Sequence, residues 1–444
     1  MNKRIIKLVF GLVSLFILES CSPEIKRNKP NVILIMADDL GYGDLSCYGS
    51  EKINTPNLDK LAAEGIRFTD FHSNGAVCSP TRAALLTGKY QQRVGIPGVV
   101  TAKHHRHHGL ALSEKTFAES FKEVGYVTGI FGKWHVGYDT KFNPIHQGFD
   151  EYIGFLAGNV DYHSHVDQEG FEDWWSGDEL TKEKGYSTDL ITNHAIDFIT
   201  RHKDESFLLY IPHEAPHYPI QGRSSKAERE IGGKNGVDFI SFGSEENKEQ
   251  LYTEMVEVMD EGIGRIINTL KNLKLDKNTF VFFCSDNGGT PRLASNGPLK
   301  GFKGSVWEGG HRVTAIAWYP GIIAPKQESN EQILTMDIYP TLTDLIGTEK
   351  PQNIDGISFK NHLLEGEALP ERDLFWKHGV QTAMRLGDWK LVLEKKEAAP
   401  LLFNLKMDIG EKENLANENP ELLKVMLEKI SLWEKDVNQV GQIY

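Results

Sequence analysis

Acidic side chains directly follow two apolar segments of the sequence, where they could bind a cation. Asp38 and Asp39 come after the first apolar run, and Asp286 and Asn287 come after a later one. Adjacent carboxylates repel each other, so the first pair either shares a cation or caps a loop. Carboxylate and amide oxygens are the ligands that calcium and magnesium prefer. The sequence therefore predicts a divalent-cation site, with calcium favoured and magnesium as the alternative.

A cysteine and an arginine stand at the start of a helical pattern, in Cys78-Ser79-Pro80-Thr81-Arg82. Residues four positions apart share one face of a helix, so Arg82 can face position 78 and stabilise negative charge there. The amino end of the helix favours negative charge at the same place. The competing interpretation is a reduced, buried cysteine that simply begins a helix.

Three further segments contribute basic side chains that could surround an anion. Lys133 and His135 stand in Gly-Lys-Trp-His, His217 stands in Ala-Pro-His, and Lys303 stands in Gly-Phe-Lys-Gly. Each segment is a weak signal alone, because lysine and histidine are common where strands end. Their value lies in their order along the chain, together with the cysteine segment.

These motifs in this order resemble the type I sulfatases of the alkaline phosphatase superfamily. The similarity extends from Asp38 to about Lys390 and includes C-x-P-x-R followed by T-G, K-x-H, A-P-H and a G-K-G…E-G-G segment over residues 296–310. The resemblance implies that a maturation enzyme oxidises Cys78 to formylglycine, whose hydrate offers two oxygens on one carbon. One oxygen would attack sulfur, and the second would later expel sulfate by re-forming the aldehyde.

The resemblance also assigns roles to the basic side chains. Lys133 would stabilise the nucleophile and the sulfate oxygens, and His135 would deprotonate the second hydroxyl when sulfate leaves. His217 would protonate the leaving alcohol or bind a sulfate oxygen, and Lys303 would bind sulfate. The metal ligands that the resemblance implies are Asp38, Asp39, Asp286, Asn287 and the modified Cys78.

Three positions depart from the pattern of the family. Lys300 stands where arginine is frequent, Phe302 replaces a small residue, and Thr314 stands where proline is common. None of these departures falls on a predicted catalytic residue.

Alternating strand and helix patterns predict the elements that must position these groups. Continuous apolar runs at 31–37, 127–131, 207–211 and 280–284 are typical of strands buried on both faces of a parallel sheet. Helical patterns cover 114–123, 189–202 and 248–273. We therefore predict an α/β fold, a large mostly parallel sheet sandwiched by helices, with the functional groups at the carboxyl ends of the strands.

The composition changes after about Gly347, where short strand patterns at 382–385, 389–393 and 401–404 precede a helical pattern over 420–435. This order predicts a smaller unit, an antiparallel sheet with one helix packed on it. The predicted boundaries are 1–21 for a lipoprotein signal peptide, 22–30 for a tether, 31–346 for the catalytic domain and 347–444 for the C-terminal subdomain.

The 444-residue chain has the composition of a globular protein, with 40% hydrophobic and 25% charged residues. It contains 49 basic and 62 acidic residues, so its formal net charge is −13. Such a chain has little bulk positive charge to neutralise phosphates, and we expect no nucleic-acid partner. Its four cysteines are too few for a disulfide scaffold.

The amino terminus has the pattern of an export signal. Lys3 and Arg4 precede an apolar run over 5–18, which is short for a membrane span. The run ends close to Cys21, in a sequence similar to a lipoprotein signal-peptidase site. We therefore expect export to the periplasm or the outer-membrane surface, with lipidated Cys21 as the sole membrane contact. The competing interpretation is plain secretion with cleavage near Ser20.

Polar and aromatic residues outside the catalytic motifs could recognise a sugar ring by stacking and hydrogen bonding. A structural lid would use the same residue types. His105 lies in the tract of residues 104–108, which reads as a cationic loop that attracts sulfated glycans rather than as a metal site, and His378 would reach the pocket from the C-terminal subdomain. The candidate substrate-binding residues are Asn159, Asp161, His163, His165, Trp174, His105 and His378.

These observations predict an arylsulfatase-like sulfuric ester hydrolase, exo-acting on sulfated carbohydrates. Export and the polar loops favour carbohydrate sulfates over small aryl sulfates. The expected partners are a sulfated glycan and the formylglycine-generating maturation enzyme. One alternative is a phosphomonoester or phosphonate hydrolase of the same superfamily. The other is a non-catalytic lipoprotein that binds sulfated glycans and keeps Cys78 unmodified.

Overall fold

The structure, a computed structural model, describes residues 29–233, 247–349, 351–395 and 397–438. Its strands are β1 (Asn31–Ala37), β2 (Ile66–Phe68), β3 (Phe71–His72), β4 (Val127–Lys133), β5 (Glu151–Phe155), β6 (Trp175–Ser176), β7 (Glu179–Leu180), β8 (Phe207–Pro212), β9 (Thr279–Ser285), β10 (Ala315–Trp318), β11 (Gln327–Ser329), β12 (Ile333–Leu334), β13 (Asp373–His378), β14 (Gln381–Leu386), β15 (Trp389–Leu393) and β16 (Leu401–Asn404). Its helices are α1 (Pro56–Glu64), α2 (Cys78–Thr87), α3 (Ala102–His105), α4 (Phe117–Glu123), α5 (Ser187–Arg201), α6 (Lys248–Asn272), α7 (Glu308–His311), α8 (Ile338–Ile346), α9 (Lys360–Glu365) and α10 (Pro420–Val437).

Within the described ranges, ten strands form one mixed sheet in the order β11-β2-β10-β9-β1-β8-β4-β5-β6-β7. The strands β9, β1, β8, β4 and β5 run parallel to their neighbours in this order. Strand β10 joins β9 in the antiparallel direction. The carboxyl ends of the parallel strands therefore lie along one edge of the sheet.

The first strand shows why the sheet is covered on both sides. All seven residues of β1 are buried. Val32 and Leu34 pack in the core on one face, and Ile33 and Ile35 pack in the core on the other, because successive side chains of a strand point to opposite faces. A strand with two covered faces needs apolar residues at every position. The predicted α/β sandwich on a mostly parallel sheet is confirmed.

The predicted elements are present, with shifted ends. Strand β4 continues to Lys133, two residues past the apolar run, because Lys133 still pairs with Phe155 of β5. Helix α4 begins at Phe117 rather than at residue 114, because Thr116 caps it. The Thr116 side chain accepts from the Glu119 N–H and the Glu119 side chain accepts from the Thr116 N–H, which is a capping box.

The C-terminal strands β13 to β16 form a four-stranded antiparallel sheet, and α10 contributes Met426 and Ile430 to its core. This confirms the predicted antiparallel sheet and helix. The same core includes Trp307 and Met336 from the preceding part of the chain, so the two parts share one apolar interface. The boundary at residue 346 stays a prediction.

A buried ion-pair network also joins the two parts of the chain. Lys390 Nζ on β15 lies 2.9 Å from Glu308 Oε1 and 2.8 Å from Glu411 Oε1, and the side chains of Lys390 and Glu308 are fully buried. Burial alone would raise the pKa of Glu308, but Lys390 holds it well below its ordinary value. The lysine therefore compensates negative charge that water cannot reach.

Replacing Lys390 with methionine should therefore lower the free energy of unfolding by about 3–5 kcal/mol, because it removes the cation beside Glu411 and leaves Oε1 of Glu308 without its partner, although Arg312 still contacts Oε2. Denaturant unfolding checks this result. The matched control is Lys406→Met at an exposed position, which should change the stability by less than about 0.5 kcal/mol. Equal small effects of the two substitutions would contradict a stabilising role for Lys390.

The predicted signal peptide and the lipidation site at Cys21 lie outside the described residues, as does most of the predicted tether. Among the described helices, none combines the length and the apolar character needed to cross a bilayer.

Candidate active site

Four neighbouring parallel strands deliver the predicted site residues to one edge of the sheet. Asp38 follows β1, Lys133 ends β4, His217 lies in the loop after β8, and Asp286 follows β9. Hydrogen bonds hold the loops together at this edge, since the Asp39 N–H donates to Asp286 Oδ1 at 3.2 Å. The strand order thus brings together residues that are far apart in sequence.

Cys78 lies in this cluster at the first position of α2. Its Sγ is 3.3 Å from Asp38 Oδ1 and 3.5 Å from Lys303 Nζ. Burial, followed by Asp286 and Asp38, raises the pKa of the Cys78 thiol far above its ordinary value. The unmodified side chain is therefore protonated near neutral pH, and a thiol is a poor nucleophile compared with a thiolate. The Sγ atom stands where the oxygens of a hydrated formylglycine would lie.

Arg82 is fully buried and binds the carboxylate of Asp286 with two nitrogens. Its Nη2 and Nε donate to Asp286 Oδ2 at 2.9 and 3.2 Å, and Nη1 donates to the Lys133 carbonyl at 3.1 Å. Its Nη2 also lies 3.8 Å from Asp38 Oδ1. Arg82 thus holds Asp286, one of the predicted metal ligands, in place. The positive charge of Arg82 lies beside the amino end of α2.

The two predicted lysines each contact one carboxylate of the adjacent pair. Lys133 Nζ lies 2.5 Å from Asp38 Oδ2, and Lys303 Nζ lies 2.6 Å from Asp39 Oδ1. Burial opposes ionisation of Asp39, but Lys303 and His217 outweigh it and lower the pKa of Asp39 to about 2. Asp39 is therefore a carboxylate over the whole physiological range.

The carboxylate and amide oxygens of the site fit a hard divalent cation. Asp38, Asp39, Cys78 and His217 can each offer one ligand atom, all within 4.8 Å of one another. The Asn287 Oδ1 atom is buried without a hydrogen-bond partner, as expected for an amide oxygen that binds a cation. Asp39 also adopts a φ of 66°, and such strained backbone is frequent at functional sites.

The tautomer of His135 follows from its neighbours. Its Nε2 lies 3.0 Å from the Val100 carbonyl, which can only accept, so Nε2 carries the proton. The Nδ1 atom is buried without a hydrogen-bond partner. Burial, then Lys133 and Arg82, lower the pKa of His135 well below its ordinary value. The ring is therefore neutral near pH 7 and has a lone pair that can accept a proton.

His217 has the opposite tautomer. Its Nδ1 lies 2.7 Å from the Tyr218 carbonyl and therefore donates to it, while Nε2 lies 3.5 Å from Asp39 Oδ2. Burial, followed by Lys303, lowers the pKa of His217 well below its ordinary value. A neutral Nε2 and a carboxylate are both acceptors, so a proton or a cation between them would be stabilised. A bound anion would raise the pKa of the ring and let it act as an acid.

His213 lies outside the Ala-Pro-His motif and has a different environment. Its ring is fully buried, and neither ring nitrogen has a hydrogen-bond partner among the described residues. Burial lowers the pKa of His213 to about 4. The structure therefore supports packing as the role of this residue.

This pKa gives a pH prediction for stability. The ordinary pKa of histidine is about 6.5 and the pKa of His213 in the folded protein is about 4, so acidification protonates the unfolded chain first. The stability present above pH 6.5 is then lost as the pH falls towards 4. The loss is about 1.4 kcal/mol per pH unit and roughly 3 kcal/mol in all. Unfolding at several pH values should show that His213→Leu reduces the slope by the contribution of one group, because His135 and His217 also have lowered pKa values. The control His146→Leu, at an exposed position, should leave the slope unchanged. An unchanged slope in His213→Leu would show that the ring does not titrate this way.

Two of the predicted sugar-binding residues are corrected by their burial. Trp174 is 1% exposed and donates from Nε1 to Glu183, and Asp161 is 0% exposed and accepts from the His163 and Ser164 N–H groups. A ring or carboxylate without accessible surface cannot contact a sugar. Both residues hold the loop after β5 together.

The other candidate substrate residues differ in accessibility. Asn159 is buried and accepts from Arg229 Nη2 at 2.6 Å. His165 stacks on the indole of Trp174 at 4.4 Å, and its Nε2 is buried without a hydrogen-bond partner. His163, His105 and His378 are partly exposed. A role in substrate binding stays a prediction for these five residues.

Two positioning residues were not evident from the motifs: Ser79 connects the cysteine segment to the loop after α2, and Tyr138 connects the loops after β4 and β5. Ser79 Oγ accepts the Val100 N–H at 3.0 Å, and Tyr138 OH accepts the Gly158 N–H at 3.1 Å. The position of Ser79 inside the C-x-P-x-R motif was a usable signal. Nothing in the sequence distinguishes Tyr138 from other loop tyrosines.

Comparison with known proteins identifies the family. A model of the family described as Sulfatase matches residues 30–348. The chain is 34% identical to N-acetylgalactosamine-6-sulfatase of Mus musculus over 412 residues, which covers 86% of this chain and 75% of that protein. It is 32% identical to arylsulfatase A of Homo sapiens over 463 residues, with 89% and 86% coverage.

Solved structures agree with this assignment. The structure of Ps i-CgsB in complex with k-i-k-neocarrahexaose is similar with a TM-score of 0.83 and 31% identity, over 93% of this chain and 94% of that one. The PsFucS1 sulfatase from Pseudoalteromonas sp. is similar with a TM-score of 0.69 and 26% identity, over 92% and 91% of the two chains. The chain therefore belongs to the sulfatase family, and this membership confirms the sulfuric ester hydrolase activity predicted from its motifs.

Proposed function

We propose that this sulfatase removes sulfate from a sulfated carbohydrate, using a formylglycine formed from Cys78 and a bound calcium ion. The observation that best supports the catalytic assignment is the convergence of Cys78, Lys303 and the Asp38–Asp39 pair within 3.5 Å contacts. The carbohydrate is supported by relatives whose names specify N-acetylgalactosamine-6-sulfate chemistry and by a similar structure that holds a neocarrahexaose.

The charge or tautomer of each side chain gives it a different role in the proposed reaction. Lys133 and Lys303 bring positive charge to the nucleophile and to the sulfate oxygens, where electrostatic stabilisation is strongest in a water-poor site. His135 accepts a proton through its unpaired Nδ1. His217, once an anion has raised its pKa, donates a proton to the leaving alcohol. Asp38, Asp39, Asp286 and Asn287 would hold the cation, which would supply positive charge to the sulfate and the nucleophile when bound.

Lys303 provides a direct test of this arrangement. Its replacement by alanine should lower kcat/KM for sulfate ester hydrolysis by about 10²–10³, the cost of losing one stabilising donor. Lys300→Ala is the matched control, because Lys300 donates to the Glu411 carbonyl and stacks on Trp307 instead. Steady-state kinetics should show a change below about tenfold for the control. Similar losses in both variants would mean a general disturbance of the loop.

The experiment that tests the function uses matched sulfate and phosphate esters. The mature protein from its native host would be assayed with the 6-sulfates and 6-phosphates of galactose, N-acetylgalactosamine and N-acetylglucosamine. Hydrolysis of a sulfate with little activity on its phosphate partner is expected. Preference for phosphate would favour the phosphomonoester or phosphonate hydrolase, and binding without turnover would favour the non-catalytic glycan-binding lipoprotein.

We also propose that the chain is exported, lipidated at Cys21 and matured by a formylglycine-generating enzyme. The support is the charged and apolar pattern before Cys21 and the C-x-P-x-R motif at Cys78. Labelling of the protein with a radioactive fatty acid in the native host should depend on Cys21. Equal labelling of Cys21→Ala would refute attachment at this residue.

A further inference from the structure

A basic pocket lies beside the catalytic residues. It has a volume of about 480 Å³, and a carboxylate, Glu169, lies among its lining residues. Its basic lining residues are Lys103, His104, Arg106, His107 and His108. In a chain with a formal net charge of −13, the permanent charges of Lys103 and Arg106 create a local positive potential that attracts anions, against the nearby carboxylates of Glu169 and Asp167.

Arg106 is held in a fixed orientation in this pocket. Its guanidinium carbon lies 4.5 Å from the ring centre of Phe171 and 5.9 Å from that of Tyr138. Its Nη2 is buried without a hydrogen-bond partner, 4.0 Å from Asp167 Oδ2, although the side chain is 38% exposed. Stacking on rings uses none of the N–H donors of the guanidinium, so the donors on its exposed side can bind a sulfate.

Phe171 adds a surface that suits a sugar. It is 54% exposed, so part of the ring is accessible to a ligand. An aromatic ring can pack against the C–H face of a pyranose while a neighbouring cation binds an anionic substituent. The pair of Arg106 and Phe171 therefore fits a sulfated sugar better than it fits a free inorganic ion.

The pocket is connected to the catalytic residues through short contacts. Val100, just before α3, donates to Ser79 Oγ and accepts from His135 Nε2, both at 3.0 Å. The Tyr138 ring that contacts Arg106 also lies 6.5 Å from the His135 ring. The Arg106 guanidinium is therefore two ring contacts away from His135, a separation that a ligand of a few sugar rings can span.

The histidines of this segment do not form a metal site. The described part of the chain contains two clusters of potential metal ligands, and neither includes a residue from 104–108. The fixed charges of Lys103 and Arg106 would also repel a cation. Anion binding is the chemistry that remains consistent with the pocket.

We propose that this pocket is a second anion subsite, which binds a sulfate on a neighbouring sugar of the glycan whose terminal sulfate is hydrolysed. This inference rests on the proposed function and narrows it, because it makes the substrate an oligosaccharide with more than one sulfate. The Arg106 guanidinium and Lys103 bind the second sulfate, and Phe171 packs against the sugar that carries it.

The test measures binding to the full-length Cys78→Ala variant by calorimetry. The probes are sucrose octasulfate, which presents clustered sulfates on a small sugar, and tetragalacturonate, which presents carboxylates alone. Adding Arg106→Ala or Lys103→Ala should weaken sucrose octasulfate binding at least about tenfold, as expected for loss of one charged hydrogen bond. The matched control is Lys203→Ala, at an exposed position before the amino end of β8, and it should leave the affinity within about twofold.

The outcomes separate the inference from the proposed function. Unchanged octasulfate affinity in both pocket variants, or a loss equal to that of Lys203→Ala, would overturn the subsite. Equal or tighter binding of tetragalacturonate would overturn the assignment to sulfate. Neither result affects hydrolysis of a monosulfated sugar by the native enzyme. Absence of any sulfated-sugar hydrolysis by the native enzyme would instead refute the proposed function.

Discussion

Replacing Cys78 with alanine is expected to lower kcat for sulfate ester hydrolysis by about 10⁶, the scale seen when a catalytic nucleophile is removed. Alanine cannot be oxidised to an aldehyde, so no hydrate forms beside Lys303. An unmodified thiol would not substitute for it, because burial, Asp286 and Asp38 raise the pKa of Cys78. Steady-state kinetics on the sugar sulfate identified as substrate, with circular dichroism to show a native fold, makes the measurement.

The matched control for this variant is Cys47→Ala. Cys47 is half-buried in a short helix near α1, and its N–H donates to Asp59. Its loss should leave the activity nearly unchanged. Full activity in Cys78→Ala would rule out a nucleophile at that position.

The mass of the peptide that contains Cys78 gives independent evidence. Trypsin should release residues 68–82, which contain this cysteine and no internal lysine or arginine. Exchange of the thiol for an aldehyde makes the peptide about 18 Da lighter than the unmodified sequence. An intact thiol in fully active protein from the native host would contradict the formylglycine mechanism.

Removal of divalent cations is expected to abolish activity and to lower the melting temperature. The carboxyls of Asp38, Asp39 and Asp286 are all 0% exposed. Burial, followed by Asp38, raises the pKa of Asp286 to about 6, so protein groups alone compensate the negative charge of Asp286 incompletely. A cation at about 100 times its dissociation constant would add about 2.7 kcal/mol of stability.

The experiment compares the chelated protein with and without added calcium, by thermal unfolding and by activity. The Asp286→Asn variant should lose most of the calcium-dependent increase in melting temperature. Asp44→Asn is the matched control, because Asp44 is also buried but accepts from the Tyr252 hydroxyl and the Ser295 N–H. It should be destabilised and still respond to calcium. An enzyme that stays active and unchanged in melting temperature after exhaustive chelation would contradict the metal site.

Much of the fold could be predicted because burial on two faces forces a strand to be apolar throughout. The runs that became β1, β8 and β9 were visible for this reason, and the capping and turn residues approximately marked the helices. The ends of the strands and helices were less predictable. Lys133 extends β4 because of its pairing with Phe155, and backbone pairing depends on a neighbouring strand rather than on the residue type.

The candidate catalytic residues were evident from local motifs, since a nucleophile, its helix and its acidic neighbours occupy short segments. The contacts that these residues make in the folded protein depend on segments that are far apart in the sequence. Arg82 donates to Asp286, 204 residues away, although its distance from Cys78 in sequence suggested a direct role at position 78. The order of parallel strands decides such contacts, because adjacent strands need not be adjacent in sequence.

The sequence by itself determined the chemistry of this protein: the cysteine motif, the acidic pairs and the basic segments, each encoded by residue type and spacing. The tertiary structure decided which side chains are accessible and which groups they contact. It buried Trp174 and Asp161 inside their loop, and it placed Arg106 against the rings of Phe171 and Tyr138 at the edge of a pocket. A polar or aromatic side chain reads the same in sequence whether it supports a loop or contacts a ligand, because what distinguishes the two is the packing of distant segments around it.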